Sequence, residues 1–260
     1  MIGKREREVD GCFFFPWPIA SCPSKFMDSI IESFSRALYL ILHLDRELLG
    51  IIILSLRVSG TALLAATLIG LPFSALLGFK KFPLRGLIIS ILNTFMGLPP
   101  VVVGLFVYLL LSRSGPFGFL ALLYTPIAMI IAQTILAFPI VTSLSHSAIV
   151  SVDPIIRQAS MTLGATPFQI SLNVISEARY GIMSAVMAGF GRVMAEVGAI
   201  LIVGGNIAGY TRVMTTTIAL ETDKGNFELA LALGIILLSI SLLINVALHS
   251  IQKKGAGANR

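Results

Sequence analysis

Five stretches of this chain are long enough to cross a lipid bilayer as helices: residues 58–79, 86–112, 119–145, 181–203 and 229–251. Four of them contain no Asp, Glu, Lys or Arg, and the fourth in order carries only Arg192 and Glu196. About 20 apolar residues cover the ~30 Å of hydrocarbon when coiled as a helix. A helix satisfies its own backbone hydrogen bonds in lipid, and an open strand does not. The expected fold is therefore an all-α polytopic membrane protein with about five spanning helices. Composition agrees. The chain is 56% hydrophobic and 12% charged, whereas soluble domains carry roughly 25% charged residues. The net charge of +6 is spread between the apolar runs. That distribution marks topology and excludes a nucleic-acid footprint. The lipid bilayer is the first partner the chain requires.

The positive-inside rule gives an orientation. Lys80, Lys81 and Arg85 put the connection between the first two spans in the cytoplasm. Alternation then places the Arg113 loop outside, 146–180 inside, 208–227 outside and the basic tail 253–260 inside. Lys224 and Arg212 in the outer loop are offset by Glu221 and Asp223. The N-terminus falls outside, against the tendency of Lys4, Arg5 and Arg7. Met27 opens a segment that reads as a natural start, so within the N-terminal tail 1–27 translation is expected to begin at Met27 and residues 1–26 to be dispensable, with Cys12 and Cys22 as loose thiols or an outer-face disulfide. N-terminal mass spectrometry decides the start. Over 28–46, Ile30, Ile31, Phe34, Leu38, Ile41 and Leu42 alternate with Glu32, Ser33, Ser35 and Arg36 at helical spacing. This is an amphipathic helix too short to span, expected along the outer interface. The transmembrane domain then covers 47–252, with Arg57 snorkelling near the outer end of the first span.

Within the inner connection, Asp153-Pro154 is a helix start: Asp caps and Pro fits the first turn. Ile155, Ile156, Ala159 and Leu163 form an apolar stripe, Arg157, Gln158, Ser160 and Thr162 fall off it, and Gly164 is placed to end the helix. From the residues alone, docking into a groove of another protein and lying on the bilayer surface fit equally well.

Arg192 and Glu196 are four residues apart and share one face if the helix is continuous. A lone charge in a span costs on the order of 3 kcal/mol. The pair can neutralise itself and leave donors for a passing anion, or it can fix packing between spans. Gly204, Gly205 and Asn206 permit close backbone approach at the outer end of this span. Arg212 with Thr211, Thr215, Thr216 and Thr217 supplies donors where an anion would enter, though the threonines fit a solvated loop better. Pro99 and Pro100 are expected to kink the second span. Gly60, Ala62, Ala65 and Ala66 suggest close helix contact in the first.

The segment 158–165, QASMTLGA, resembles the loop motif of ABC importer permeases, where a Glu-Ala-Ala triplet precedes a Gly by three residues. Gln158 stands for the Glu and Ser160 for the second Ala; the family's later Ile-x-Leu-Pro appears as Val174-Ile175-Ser176-Glu177, without its proline. Residues 93–120 and 196–234 resemble the tungstate/molybdate branch, tungstate more closely, and the likeness covers about 28–251. It implies the type I ABC importer transmembrane fold and a permease for a tetrahedral oxyanion. It also implies a homodimer, two ATPase subunits and an extracytoplasmic oxyanion-binding protein, in a prokaryotic cell membrane. The implied ATPase-coupling residues are Asp153, Arg157, Gln158, Ala159, Ser160, Leu163, Gly164 and Ala165; the path or gate is assigned to Pro99, Pro100, Arg192, Glu196, Gly204, Gly205, Asn206 and Arg212.

The chain has no G-x-x-x-x-G-K-[ST] phosphate loop. It is expected not to be an enzyme and to hold no cofactor, with ATP and Mg bound by the partner ATPase. His43, His146 and His249 are isolated and are read as interface residues. The alternatives are the same fold carrying phosphate or sulfate, a gradient-driven carrier, and a non-transporting scaffold. Few acidic residues lie in the spans to relay protons, which weighs against the carrier.

Overall fold

A computed structural model describes Ser35 and residues 46–80 and 82–257. Among these residues every regular element is helical. Helix α1 runs Arg46–Phe79, α2 Arg85–Phe95, α3 Pro100–Leu111, α4 Pro126–Val150, α5 Pro154–Thr162 and α6 Pro167–Glu177. Helix α7 runs Arg179–Met194, α8 Gly198–Gly204, α9 Met214–Asp223 and α10 Phe227–Gly257. The expectations for 1–27 and, apart from Ser35 and Arg46, for the amphipathic helix over 28–46 lie outside the described residues.

Three helices are long and apolar enough to span: Leu48–Phe79, Pro126–Val150 and Leu229–Ser250. Two bent pairs, α2 with α3 and α7 with α8, bring the number to five if each pair is one span. Three of the five runs read from sequence are single long helices with altered boundaries, and 86–112 and 181–203 are each broken into two helices. Helix α1 has 34 residues, which at ~1.5 Å per residue is about 51 Å, far longer than the hydrocarbon layer. It begins well before residue 58, so Arg57 lies inside it and not at its end. Pro126 starts α4 instead of sitting within a span: Thr125 caps the helix, its Oγ1 accepting from the Ala128 amide at 3.5 Å. Helix α10 continues to Gly257, so the basic tail begins as helix.

Helix α4 is the centre of the bundle. In its apolar stretch 61% of residues are buried, against 22% in α1 and in α10. Ala62 and Ala66 of α1 pack with Ala137 of α4 and Val193 of α7. Gly60 meets nothing, so only part of the small-residue stripe makes a helix contact. Leu64, Leu68, Leu238, Leu242 and Leu243 point outward, as lipid-facing side chains do.

Helices α3 and α8 approach through Gly104. A Cβ there would lie 2.8 Å from the Ala199 Cα, a backbone atom that cannot give way. We expect Gly104→Ala to destabilise the fold by about 1–3 kcal/mol through overpacking, read as a lower thermal midpoint in detergent. Gly60→Ala, with open space around it, is expected to leave the midpoint unchanged or raise it.

The spans run between two ends. The C-terminus of α1, the start of α2, the C-terminus of α4, and α5 and α6 meet at one end around Gly78, Arg85, Val150 and Asp153. The N-terminal part of α1 and the 205–213 turn meet at the other, where the Met214 amide donates to Ser55 Oγ at 2.8 Å.

Candidate functional site

The first candidate region is the α5/α6 pair at one end of the spans. Asp153 Oδ1 accepts from the Ile155 amide at 2.9 Å, and Pro154 occupies the first turn, as the sequence dictates. The helix closes at Gly164, whose φ is +77°. The Ala165 amide returns to the Ser160 carbonyl at 3.1 Å and the Gly164 amide to Met161 at 3.0 Å, the paired bonds of a glycine-terminated helix. A second helix follows at once through a capping box: the Thr166 amide donates to Gln169 Oε1 at 2.8 Å and the Gln169 amide to Thr166 Oγ1 at 3.4 Å.

The inward face of α5 differs from the expected stripe. Ser160 is the buried residue, and Asn173 Nδ2 of α6 donates to its Oγ at 3.3 Å. Ile156 is half-buried. Ile155, Ala159 and Leu163 are exposed, Leu163 at 86%, as are Met161 and Phe168. A small hydroxyl lets α5 lie close to α6 and turns the apolar side chains outward. Arg157 and Gln158 are exposed beside them, and Ala165 is half-buried. Burying one such Leu or Phe is worth about 1.5–3 kcal/mol, so this face gains by meeting another surface.

The second region is formed by two helix breaks. The α2–α3 pair bends by 104° and the α7–α8 pair by 58°. The first is a break and not the expected kink: Pro99 is extended at ψ 124° and Pro100 starts α3. Arg192 Nη2 at the second break donates to the Leu98 carbonyl at 3.1 Å, beside the first. Arg192 and Glu196 do not form the expected pair. The turn between α7 and α8 removes the shared face that a continuous helix would give them. Glu196, 4% exposed, instead accepts from the Ala199 amide at 3.0 Å and caps α8. Thr215 Oγ1 donates to the Glu196 carbonyl at 2.9 Å, and Gln133 Nε2 of α4 donates to the Val193 carbonyl at 3.2 Å. The breaks are thus held by side chains from three directions.

The third region is the turn after α8. Gly205 (φ +69°) and Asn206 (φ +50°) are left-handed. A Cβ on Gly205 would meet the Tyr124 ring at 2.8 Å, so close approach requires glycine here. Thr211 Oγ1 donates to the Gly204 carbonyl at 2.6 Å and accepts from the Ile207 amide at 2.9 Å. Thr211, Thr215, Thr216 and Thr217 are all buried, which overturns the solvated-loop reading. They tie the turn and α9 into the bundle, and Arg212 remains half-exposed.

At the end of α9, Lys224 Nζ donates to Glu221 Oε1 at 2.8 Å and Asn226 Nδ2 to Oε2 at 3.1 Å. The hydrogen bond from Lys224 holds the Glu221 carboxyl below its usual range, against the opposing effect of burial. A depressed folded pKa gives stability that is present above the unfolded value, about 4.3, and is lost as pH falls through the folded value. The wild type is therefore expected to be more heat-stable than Glu221→Gln at neutral pH. The difference should vanish on acidification below the ordinary carboxylate range.

Residues 70–254 match the family described as binding-protein-dependent transport system inner membrane component. This chain is a member of that family. The permease is 46% identical over 217 residues to a probable anion ABC transporter permease of Haloferax volcanii, covering 82% of this chain and 94% of the relative. It is 41% identical over 228 residues to the tungstate uptake permease TupB of Peptoclostridium acidaminophilum, covering 88% and 100%. TupB of Campylobacter jejuni is 37% identical over 228 residues, covering 88% and 95%. Among solved structures, a bacterial ABC transporter for alginate import superposes with a TM-score of 0.70 at 18% identity, covering 89% of this chain and 90% of that one. The type I importer fold follows, and the chain is a multi-pass membrane component rather than the ATPase.

Of two residues that hold the permease's breaks and turns, Gln133 is absent from the sequence-based reading and Thr211 is read there only as an exposed donor. Gln133 is fully buried in a span, and an isolated amide in an apolar run is the signal that could have found it. Thr211 fixes the turn after α8, and no local pattern distinguishes it from its neighbouring threonines. Among the described residues no group of three His, Cys, Asp or Glu could hold a metal ion.

Proposed function

We propose that this permease is the membrane half of an ATP-driven importer whose cargo is tungstate. The observation that carries the cargo is the 41% identity to a tungstate uptake permease across the whole of that relative. Molybdate is close in size, shape and charge, and a pore that holds either ion briefly need not separate them. A molybdenum transport permease of Escherichia coli is 31% identical over 221 residues, covering 79% of this chain and 95% of the relative. Selectivity resides mainly in an external binding protein.

The permease works as a homodimer with two ATPase subunits, which bind ATP and Mg. The exposed Ile155, Met161, Leu163 and Phe168 dock on the ATPase from the cytoplasmic side. Asp153, Arg157, Gln158, Ala159, Ser160, Gly164 and Ala165 shape or border that lever. ATP-driven closure moves α5 and α6, and the force reaches the bundle through the packing of Val174 and Ala178 on Ile149. The two breaks, with Pro99, Pro100, Arg192 and Glu196, are the points where spans change angle. Gly204, Gly205, Asn206 and Arg212 form the outer mouth. The C-terminus is cytoplasmic and the N-terminus outside. Alternating access requires the lever to prefer different positions in the two states.

The test is ATP-dependent uptake of tungstate, molybdate, sulfate and phosphate by the reconstituted complex with its binding protein. Tungstate uptake that ceases without the ATPase supports the proposal. Uptake that persists on an ion gradient alone refutes it, and preference for phosphate or sulfate moves the cargo.

A further inference from the structure

A recess of about 370 Å³ opens at the α1 N-terminal end. Its walls are Gly50, Ile53, Leu54 and Arg57 of α1 and Gly209 and Arg212 of the turn before α9. Among the described residues no acidic one lines it. Arg57 makes no ion pair or hydrogen bond through its guanidinium among the described residues. The Nε of Arg212 is buried without a hydrogen-bond partner. Glu221 lies near enough to Arg212 to feel its charge, but its two oxygens are engaged by Lys224 and Asn226. Among the described residues the recess therefore holds two cationic groups and no carboxylate.

The buried Arg212 Nε is costly unless a hydrogen-bond partner completes it. Arg57 stands within an apolar helix, where an ionisable side chain marks function by default. Guanidinium is a planar fork of donors that matches the edges of a tetrahedral oxyanion. Two such groups on low-dielectric walls focus positive potential toward the opening. Two positive charges balance a dianion.

We infer that Arg57 and Arg212 form a site for a tetrahedral oxyanion in this recess. The inference rests on the oxyanion-importer reading for its physiological ligand, tungstate. It adds Arg57, which lies outside the expected path residues. The phosphodiester of an anionic phospholipid presents the same tetrahedral oxygens with a single charge, so the ligand has two sources.

The test uses the full-length permease with its ATPase subunits in bilayer discs, without the binding protein, and reads tungstate binding by equilibrium titration. Arg57→Gln combined with Arg212→Gln is expected to weaken binding by at least about tenfold, the scale of lost charge-assisted hydrogen bonds. Sulfate should compete and chloride should not. Because Arg212 is partly buried, two further variants keep the test sound. Arg57→Gln alters an exposed residue, and Gly50→Phe fills the recess from a position with open space; each should weaken binding alone. Discs of phosphatidylcholine alone and discs with added phosphatidylglycerol distinguish the sources. Tungstate binding that is equal in both assigns the site to the free anion. Binding suppressed by phosphatidylglycerol, with both ligands sensitive to the arginine variants, assigns it to the headgroup. Tungstate and lipid binding that both ignore the arginine variants overturn the inference, even if wild-type uptake is normal. A wild type that imports no oxyanion, yet binds sulfate through these arginines, refutes the importer reading and leaves the site standing.

Discussion

Gly164→Asp is expected to leave the permease in the membrane and to lower ATP-dependent uptake by at least about tenfold, since ~1.4 kcal/mol is enough for that factor. The residue is in the left-handed region at φ +77°, and a Cβ there would meet nothing within 4 Å. No clash follows, so folding and insertion should survive. Two costs remain. A non-glycine residue in this conformation costs about 1–2 kcal/mol, less for Asp and Asn, which visit it more readily. The larger cost is a carboxylate placed beside Leu163 on the face that the proposed docking desolvates. An unpaired charge buried at an interface costs several kcal/mol. Gly164→Asn separates the two, because it has the same shape and similar backbone tolerance without the charge. It should retain most of the uptake. Equal loss in Asp and Asn variants would assign the effect to the backbone. Normal uptake by the Asp variant, with normal membrane levels, would remove the lever from the mechanism.

Arg192→Met should produce the second large effect. Methionine keeps much of the side chain's length and removes its donors. The Leu98 carbonyl then loses the guanidinium that now lies 3.1 Å away, and the two breaks lose their direct link. A hydrogen bond to a charged group is worth about 1.5–3 kcal/mol. If the link exists in only one transport state, that energy shifts the balance between states by roughly ten- to a hundredfold. Uptake should fall on that scale while the complex still hydrolyses ATP. Arg192→Lys should fall between, since an ammonium provides one compact donor cluster in place of a fork. Uptake by Arg192→Met equal to the wild type would show that the link does not distinguish the states.

Much of the lever was legible because its determinants are local. Asp153, Pro154 and Gly164 act within a turn of their own backbone, and the structure uses each as the sequence suggests. The burial of Ser160 was not legible. It depends on Asn173, thirteen residues away on another helix. The Arg192–Glu196 spacing misled for a related reason. Four residues share a face only on an unbroken helix, and the break at 195–197 depends on what Leu98, Ala199 and Thr215 offer to the freed groups. The threonines misled because a polar hydroxyl has the same composition signal whether it meets water or a buried carbonyl.

The sequence by itself determined that the chain must be helical and membrane-spanning, which runs are apolar enough to cross, and where the short helix α5 begins and ends. Those outcomes follow from apolar length in lipid and from backbone chemistry within a single turn. Only the tertiary structure decided the angle at which two spans break, which partner Arg192 takes, and that Arg57 and Arg212 line one recess. Each of these depends on groups far apart along the chain, where close packing and the need to satisfy buried polar atoms select one arrangement from many that the local pattern allows.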